Sequence, residues 1–188
     1  MNTGIIATRY ATALLKLVEE TGSGDVVAAQ VQVIEKALDE VPEFRRAVDD
    51  SAVSVVRKIS LFEAALKDSM AQELRKFLEL LIRNGRIGDV RLIFTTFINE
   101  YYRSRHIKRA RLVVADSALL NLGSTLESRL RDLIEKQTGC RLILKTEVNP
   151  SLIGGFVFEV EDTVLDASVS RQLDIIRRQF IEKNRRIV

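Results

Sequence analysis

The chain has little of what catalysis and cofactor binding draw on. It is 188 residues long and holds one cysteine and one histidine. Cys140 cannot form an internal disulfide, which fits a reducing compartment. His106 sits beside Arg105 and Lys108 and reads as a solvated linker residue. A hydrolase triad or a metal cluster has nothing further to draw on. No apolar run approaches the ~18 residues of a membrane span. The first residues lack a basic region followed by a long apolar run, so no signal peptide is expected. Basic stretches with interleaved aromatics, the mark of nucleic-acid binders, are also missing.

What remains is ordinary globular material, 46% hydrophobic and 29% charged, enough for one large domain or two small ones with real cores. The net charge of +3 is unevenly placed. Residues 1–105 carry 15 basic and 15 acidic side chains, and residues 106–188 carry 14 and 11. Much of the excess falls at Arg171, Arg177, Arg178, Lys183, Arg185 and Arg186, and such a surplus invites an acidic partner.

Hydrophobic spacing predicts helices throughout residues 1–105. Ile6, Tyr10, Ala13, Leu14 and Leu17 mark the first. Val27, Val31, Ile34, Leu38 and Val41 mark the second, after turn residues at Thr21–Gly24. Pro42 can open a short third helix, where its missing N–H costs little. Ser54 is an N-cap candidate for a fourth bearing Ile59, Phe62 and Leu66. A fifth, about 71–84, carries Leu74, Phe77, Leu78, Leu80, Leu81 and Ile82 over most of its circumference and ends at Asn84-Gly85. The sixth, about 87–104, turns Val90, Phe94, Phe97, Ile98 and Tyr101 inward. Short connections predict an antiparallel bundle.

The texture changes near residues 104–107. A strand is expected over Ile107–Ala115, an amphipathic helix over Leu119–Gln137 with Leu126, Leu130, Leu133 and Ile134, and a strand over Arg141–Val148 with Leu142, Leu144, Thr146 and Val148 on one side. Another strand is expected over Gly155–Val160 with Phe156, Phe158 and Val160 on one face. A hairpin-like link leads to Val164-Leu165, after which Asp166 is expected to cap a basic last helix. The fold class is α+β: a six-helix bundle over 1–105, then a small domain over 106–188 in which two helices can cover one face of a short mixed sheet. Gly154-Gly155 lacks the helix-opening Gly-Lys-Ser/Thr of a phosphate loop and reads as a bend where a side chain would clash. The Asp166-x-Ser168 pair reads as a helix cap rather than an acid and a nucleophile.

Asn149, Pro150, Ile153, Gly154, Gly155, Phe156, Asp166, Ser168 and Leu173 together resemble the C-terminal signature of the delta subunit family of F-type ATP synthases. The mitochondrial oligomycin-sensitivity-conferring protein is its counterpart. Arg9-Tyr10-Ala11 with Ala13-Leu14 resembles the opening pattern of that family, and Phe77-Leu78 through Asn84-Gly85-Arg86-Ile87 its fifth helix and following turn. The resemblance spans essentially the whole chain. It departs at Ser51-Ala52, where a proline is common, at Ala167, where a glycine is common, and in the tail Glu182–Val188.

The resemblance implies a non-catalytic connector in the stator of a proton-driven rotary enzyme, with no cofactor, no metal and no small-molecule substrate. It implies that the N-terminal helix of an alpha subunit lies in a groove between the first and fifth helices, at Ile6, Tyr10, Ala13, Leu14, Leu17, Phe77, Leu78 and Leu81. It further implies that the C-terminal domain meets the b subunits of the peripheral stalk, with Arg177, Arg178, Arg185 and Arg186 facing that partner. Gly154, Gly155, Asp166 and Ser168 are then structural. The implied location is the cytoplasmic face of the cell membrane, held there through the complex. A nucleic-acid-binding adaptor using the basic C-terminal half is the alternative.

Overall fold

The computed structural model describes the backbone of residues 3–67, 69–116, 118–161 and 163–185, and the side chains of these except 118–126 and 182–185. The predicted Leu119 and Leu126 contacts and Arg186 therefore lie outside the described residues, as does the Arg185 side chain. Among the described residues the fold is α+β, with eight α-helices and a four-stranded mixed sheet. The chain forms two compact units, Met1–Arg105 and His106–Val188.

In the first unit α1 (Thr3–Thr21), α2 (Gly24–Glu40), α3 (Pro42–Asp49), α4 (Val55–Leu66), α5 (Gln72–Arg83) and α6 (Val90–Ser104) enclose one core. A 3-10 turn, Ile87–Asp89, precedes α6. The α1 stripe in the core is Ala7, Ala11, Leu14 and Val18, not the expected set as a whole. Ile6, Tyr10 and Leu17 lie on the neighbouring stripe and are half-buried, and Ala13 is exposed. α1 packs chiefly on α6, and its core stripe includes the small Ala7 and Ala11, residue types that permit a close helix approach.

Local chemistry sets the helix ends. Pro42 occupies the first turn of α3. The Ser54 hydroxyl accepts from the Arg57 N–H at the start of α4. After α5, the Arg86 N–H donates to Leu81 O at 2.8 Å and the Gly85 N–H to Ile82 O at 3.0 Å, with Gly85 at φ +66°. This pair of bonds is a Schellman closure. Buried Lys58 donates to Val48 O at 2.6 Å, beside the last turn of α3 where carbonyls lack helical partners.

The second unit runs β1 (Ile107–Val114), α7 (Ala118–Thr138), β2 (Arg141–Val148), β3 (Phe156–Val160), β4 (Thr163–Asp166) and α8 (Val169–Arg185). The sheet order is β2-β1-β3-β4. β1 and β2 are parallel, from Ile107 opposite Arg141 to Val114 opposite Val148, as a helical crossover through α7 requires. β3 lies antiparallel to β1, and β4 antiparallel to β3. One face carries Ala110, Leu112, Val114, Leu142 and Phe158, with Leu130 and Ile134 of α7 against them.

Two expectations fail here. The last helix does not cover the sheet: its side chains from Arg171 to Ile181 are all exposed. The core face carries α7, and the first turn of α8 is tied down where the Val169 N–H donates to Gly154 O at 3.0 Å. Asp166 is not the helix cap. Ser168 holds that position, its hydroxyl accepting from the Arg171 N–H at 3.3 Å. The Asp166 carboxylate accepts instead from the Ser168 N–H at 3.0 Å and the Ser168 hydroxyl at 2.6 Å. It thus closes an Asx turn that presents the serine to the helix.

Candidate partner-binding surfaces

With Ala7, Ala11, Leu14 and Val18 of α1 in the core, Ile6, Tyr10 and Ala13 beside them are left along a groove shared with α5. Ile6, Arg9, Tyr10 and Ala13 of α1, Leu80 of α5 and Arg86 line a hollow of about 480 Å³. Tyr10 forms one wall. Its ring meets Phe77 edge to face, centroids 6.4 Å apart, and its hydroxyl accepts from Asn84 Nδ2 at 3.1 Å. The Schellman closure fixes Arg86 opposite. A second hollow of about 500 Å³ continues along α1, lined by Ile5, Thr8, Arg9, Thr12, Ala13 and Lys16. Among the described residues no carboxylate lines either hollow.

The groove brings together Ile6, Tyr10 and Ala13 from the sequence-derived set. Leu14, Leu78 and Leu81 have no exposed surface, and Phe77 is also buried. These four belong to the core and back the groove without lining it, because their side chains are already spent on the packing of α1, α5 and α6. Leu17 is half-buried and lines neither hollow. Sequence reasoning missed Leu80, 47% exposed, and the two arginines in the first hollow, and Ile5, Thr8, Thr12 and Lys16 in the second. Removing the core stripe Leu74, Phe77, Leu78 and Leu81 from the apolar circumference of α5 leaves Leu80 and Ile82; Ile82 packs against the core and Leu80 stands out.

In the second unit α8 presents Arg177 and Arg178 to solvent together with Leu173, Ile176 and Phe180. The signature residues are architectural. The Asn149 side chain accepts from the Ser151 N–H at 3.1 Å, with Pro150 opening the next turn. Gly155 has φ +74°, and a Cβ there would stand 2.2 Å from Ala167 O. Bonds from the Ser168 hydroxyl and N–H, with Arg171 adding attraction, hold the Asp166 carboxyl below the usual carboxylate range. Glu147 is lowered likewise by Lys145 and Arg111.

Nothing in this set resembles a reaction centre. The Ser168 hydroxyl donates to Asp166 and accepts from Arg171 N–H and Ser170 Oγ, leaving it no nucleophilic freedom. Among the described residues no cluster of His, Cys, Asp or Glu could hold a metal, and no helix is long and apolar enough to cross a membrane.

The family model described as the ATP synthase delta (OSCP) subunit matches residues 6–180. The chain is 32% identical over 189 residues to a protein named ATP synthase subunit delta from Phocaeicola vulgatus, covering 100% of both. It is 30% identical over 190 residues to one of the same name from Bacteroides thetaiotaomicron, again covering 100% of both. A chain in the cryo-EM structure of the Toxoplasma gondii mitochondrial ATP synthase hexamer shares the fold, with TM-score 0.62 and 22% identity over 93% of this chain and 97% of that one.

Proposed function

The chain belongs to the ATP synthase delta (OSCP) subunit family, a non-catalytic structural subunit of that complex, and from this premise we propose that it is the joint between the catalytic head and the peripheral stalk. In this reading residues 1–105 form a six-helix bundle that holds the N-terminal helix of an alpha subunit in the groove between α1 and α5. Residues 106–188 hold the b subunits, with Arg177, Arg178, Arg185 and Arg186 on the stalk-facing side. The protein lies at the cytoplasmic face of the membrane, attached only through the complex. No nucleic acid, cofactor or small-molecule substrate takes part.

The observation that supports this most is the hollow lined by Ile6, Tyr10, Ala13 and Leu80. An amphipathic helix laid into an apolar groove is a recurring recognition mode. Each anchor buried there contributes on the order of 1.5–3 kcal/mol, so several anchors outweigh the loss of free motion on association. A joint of this kind resists rotor torque without bond-making chemistry, which accounts for a subunit that has binding surfaces but no reaction centre.

Titration calorimetry of the full chain against a peptide from the cognate alpha N-terminus tests the groove. Binding is expected, with at least about tenfold loss in Leu80→Asp or Ala13→Trp. Both positions are exposed or partly exposed, so the folded state should survive these changes. Failure of the peptide to bind the folded wild-type chain overturns the groove assignment. For the second unit, loss of b-subunit capture in Arg177→Glu/Arg178→Glu is the expected outcome.

A further inference from the structure

The groove has a charge of one sign in a unit whose overall charge is balanced. Residues 1–105 carry equal numbers of basic and acidic side chains. Elsewhere on that unit some cations pair with carboxylates, as Arg75 with Glu63 and Arg91 with Asp39 at 2.8 Å. At the groove, among the described residues, no carboxylate shares the lining with them. Arg9 lines both hollows and Lys16 the second, and among the described residues neither makes an ion pair. Arg86 pairs with Asp89 at 3.8 Å. The hollow floored by Ile6, Tyr10, Ala13 and Leu80 thus carries Arg9 and Arg86 in its lining, and Lys16 joins Arg9 in the hollow that continues along α1.

We infer that the groove selects an acidic amphipathic helix, one whose apolar stripe is flanked by carboxylates that meet Arg9, Lys16 and Arg86. This rests on the groove reading above and adds the chemistry of the occupant. Arg9 and Lys16 stand seven residues apart on α1, which is about 10 Å along a helix axis. Two acidic residues seven apart on a guest lying along α1 match that spacing. The Tyr10 hydroxyl adds a polar contact: it accepts from Asn84, and its own proton remains to be donated to the guest. Rim charges of this sort act mainly on encounter rate and on the rejection of wrong partners, and salt screens them.

The test uses designed helical peptides that share one apolar stripe and differ only in flanking residues, Glu, Gln or Lys. They are titrated into the full chain. The Glu-flanked peptide should bind roughly tenfold tighter than the Gln-flanked one at low salt, and the Lys-flanked one weakest. The gap should shrink at about 0.5 M salt and disappear in Arg9→Gln/Lys16→Gln/Arg86→Gln, whose thermal midpoint should stay at the wild-type value because none of the three side chains is in the core. Equal affinity across the panel, no binding by any member, or a preference that survives the triple change overturns the inference. The panel contains no alpha-subunit sequence. Binding of the alpha peptide without any charge preference would leave the joint function standing and remove only this inference.

Discussion

At single residues, the signature glycines are explained by what stands next to them. Gly155 has a backbone conformation that L side chains rarely adopt, and its missing Cβ is where Ala167 O approaches to 2.2 Å. Backbone cannot move aside as a flexible side chain can. Gly85 shares the left-handed conformation, at φ +66°, but a Cβ there meets nothing within 4 Å. The two substitutions to alanine therefore separate strain from collision. Gly85→Ala should cost about 1–2 kcal/mol, the price of a left-handed residue. Gly155→Ala adds overpacking and should cost on the order of 3 kcal/mol or more. Denaturant melts of both variants decide it, and equal losses would mean that the Ala167 approach is not a real constraint. Asp166 and Ser168 act as a pair for a similar local reason. The carboxylate orients the serine, and the serine receives the helix.

At the scale of elements, α1 shows how helix faces are assigned. Ala7 and Ala11 lie on the buried stripe of α1, and Ile6, Tyr10 and Ala13 on the stripe beside it border the groove. Ala11 has no exposed surface, so Ala11→Leu should force the helices apart. The expected loss is about 1–3 kcal/mol, with weaker capture of a groove peptide; Ala13→Leu, at an exposed site, should melt near wild type. Thermal melts and peptide titration check both outcomes. The helices themselves were legible, because periodicity, Pro42, Ser54 and Asn84-Gly85 all have local causes. The side of each helix that would stay open was less so. Leu14, Leu78 and Leu81 are as apolar as Leu80, and only the packing of α1, α5 and α6 tells core from groove. The strands were legible from alternation, and Gly155 from its neighbours in the signature. That α8 stays off the sheet was not, because an amphipathic pattern reports an apolar face and not what covers it. Asp166 was mistaken for the cap because Asp and Ser are equally good caps two positions apart.

Over the whole molecule, the two units hold separate cores and titrate through different groups. In the first, the Tyr101 hydroxyl is buried and donates to Asp25 at 2.7 Å. Burial, then Asp25, raises its pKa above the ordinary value. A raised acid contributes stability that is fully present below its unfolded pKa of about 10 and is lost as pH rises toward the folded value. In the second unit the Asp166 carboxyl is depressed. Its contribution is present above an unfolded pKa of about 4 and is lost as pH falls toward the folded value. Calorimetry should resolve two transitions. Asp166→Asn keeps an oxygen for the serine but removes the charge. It should flatten the acid loss in the transition of residues 106–188 and leave the other unchanged. Tyr101→Phe should flatten the alkaline loss only in the transition of residues 1–105. One cooperative transition, moved by both variants alike, would show that the units do not unfold independently. Separate transitions, each answering to its own variant, fit a joint in which each unit keeps its fold while gripping its own partner.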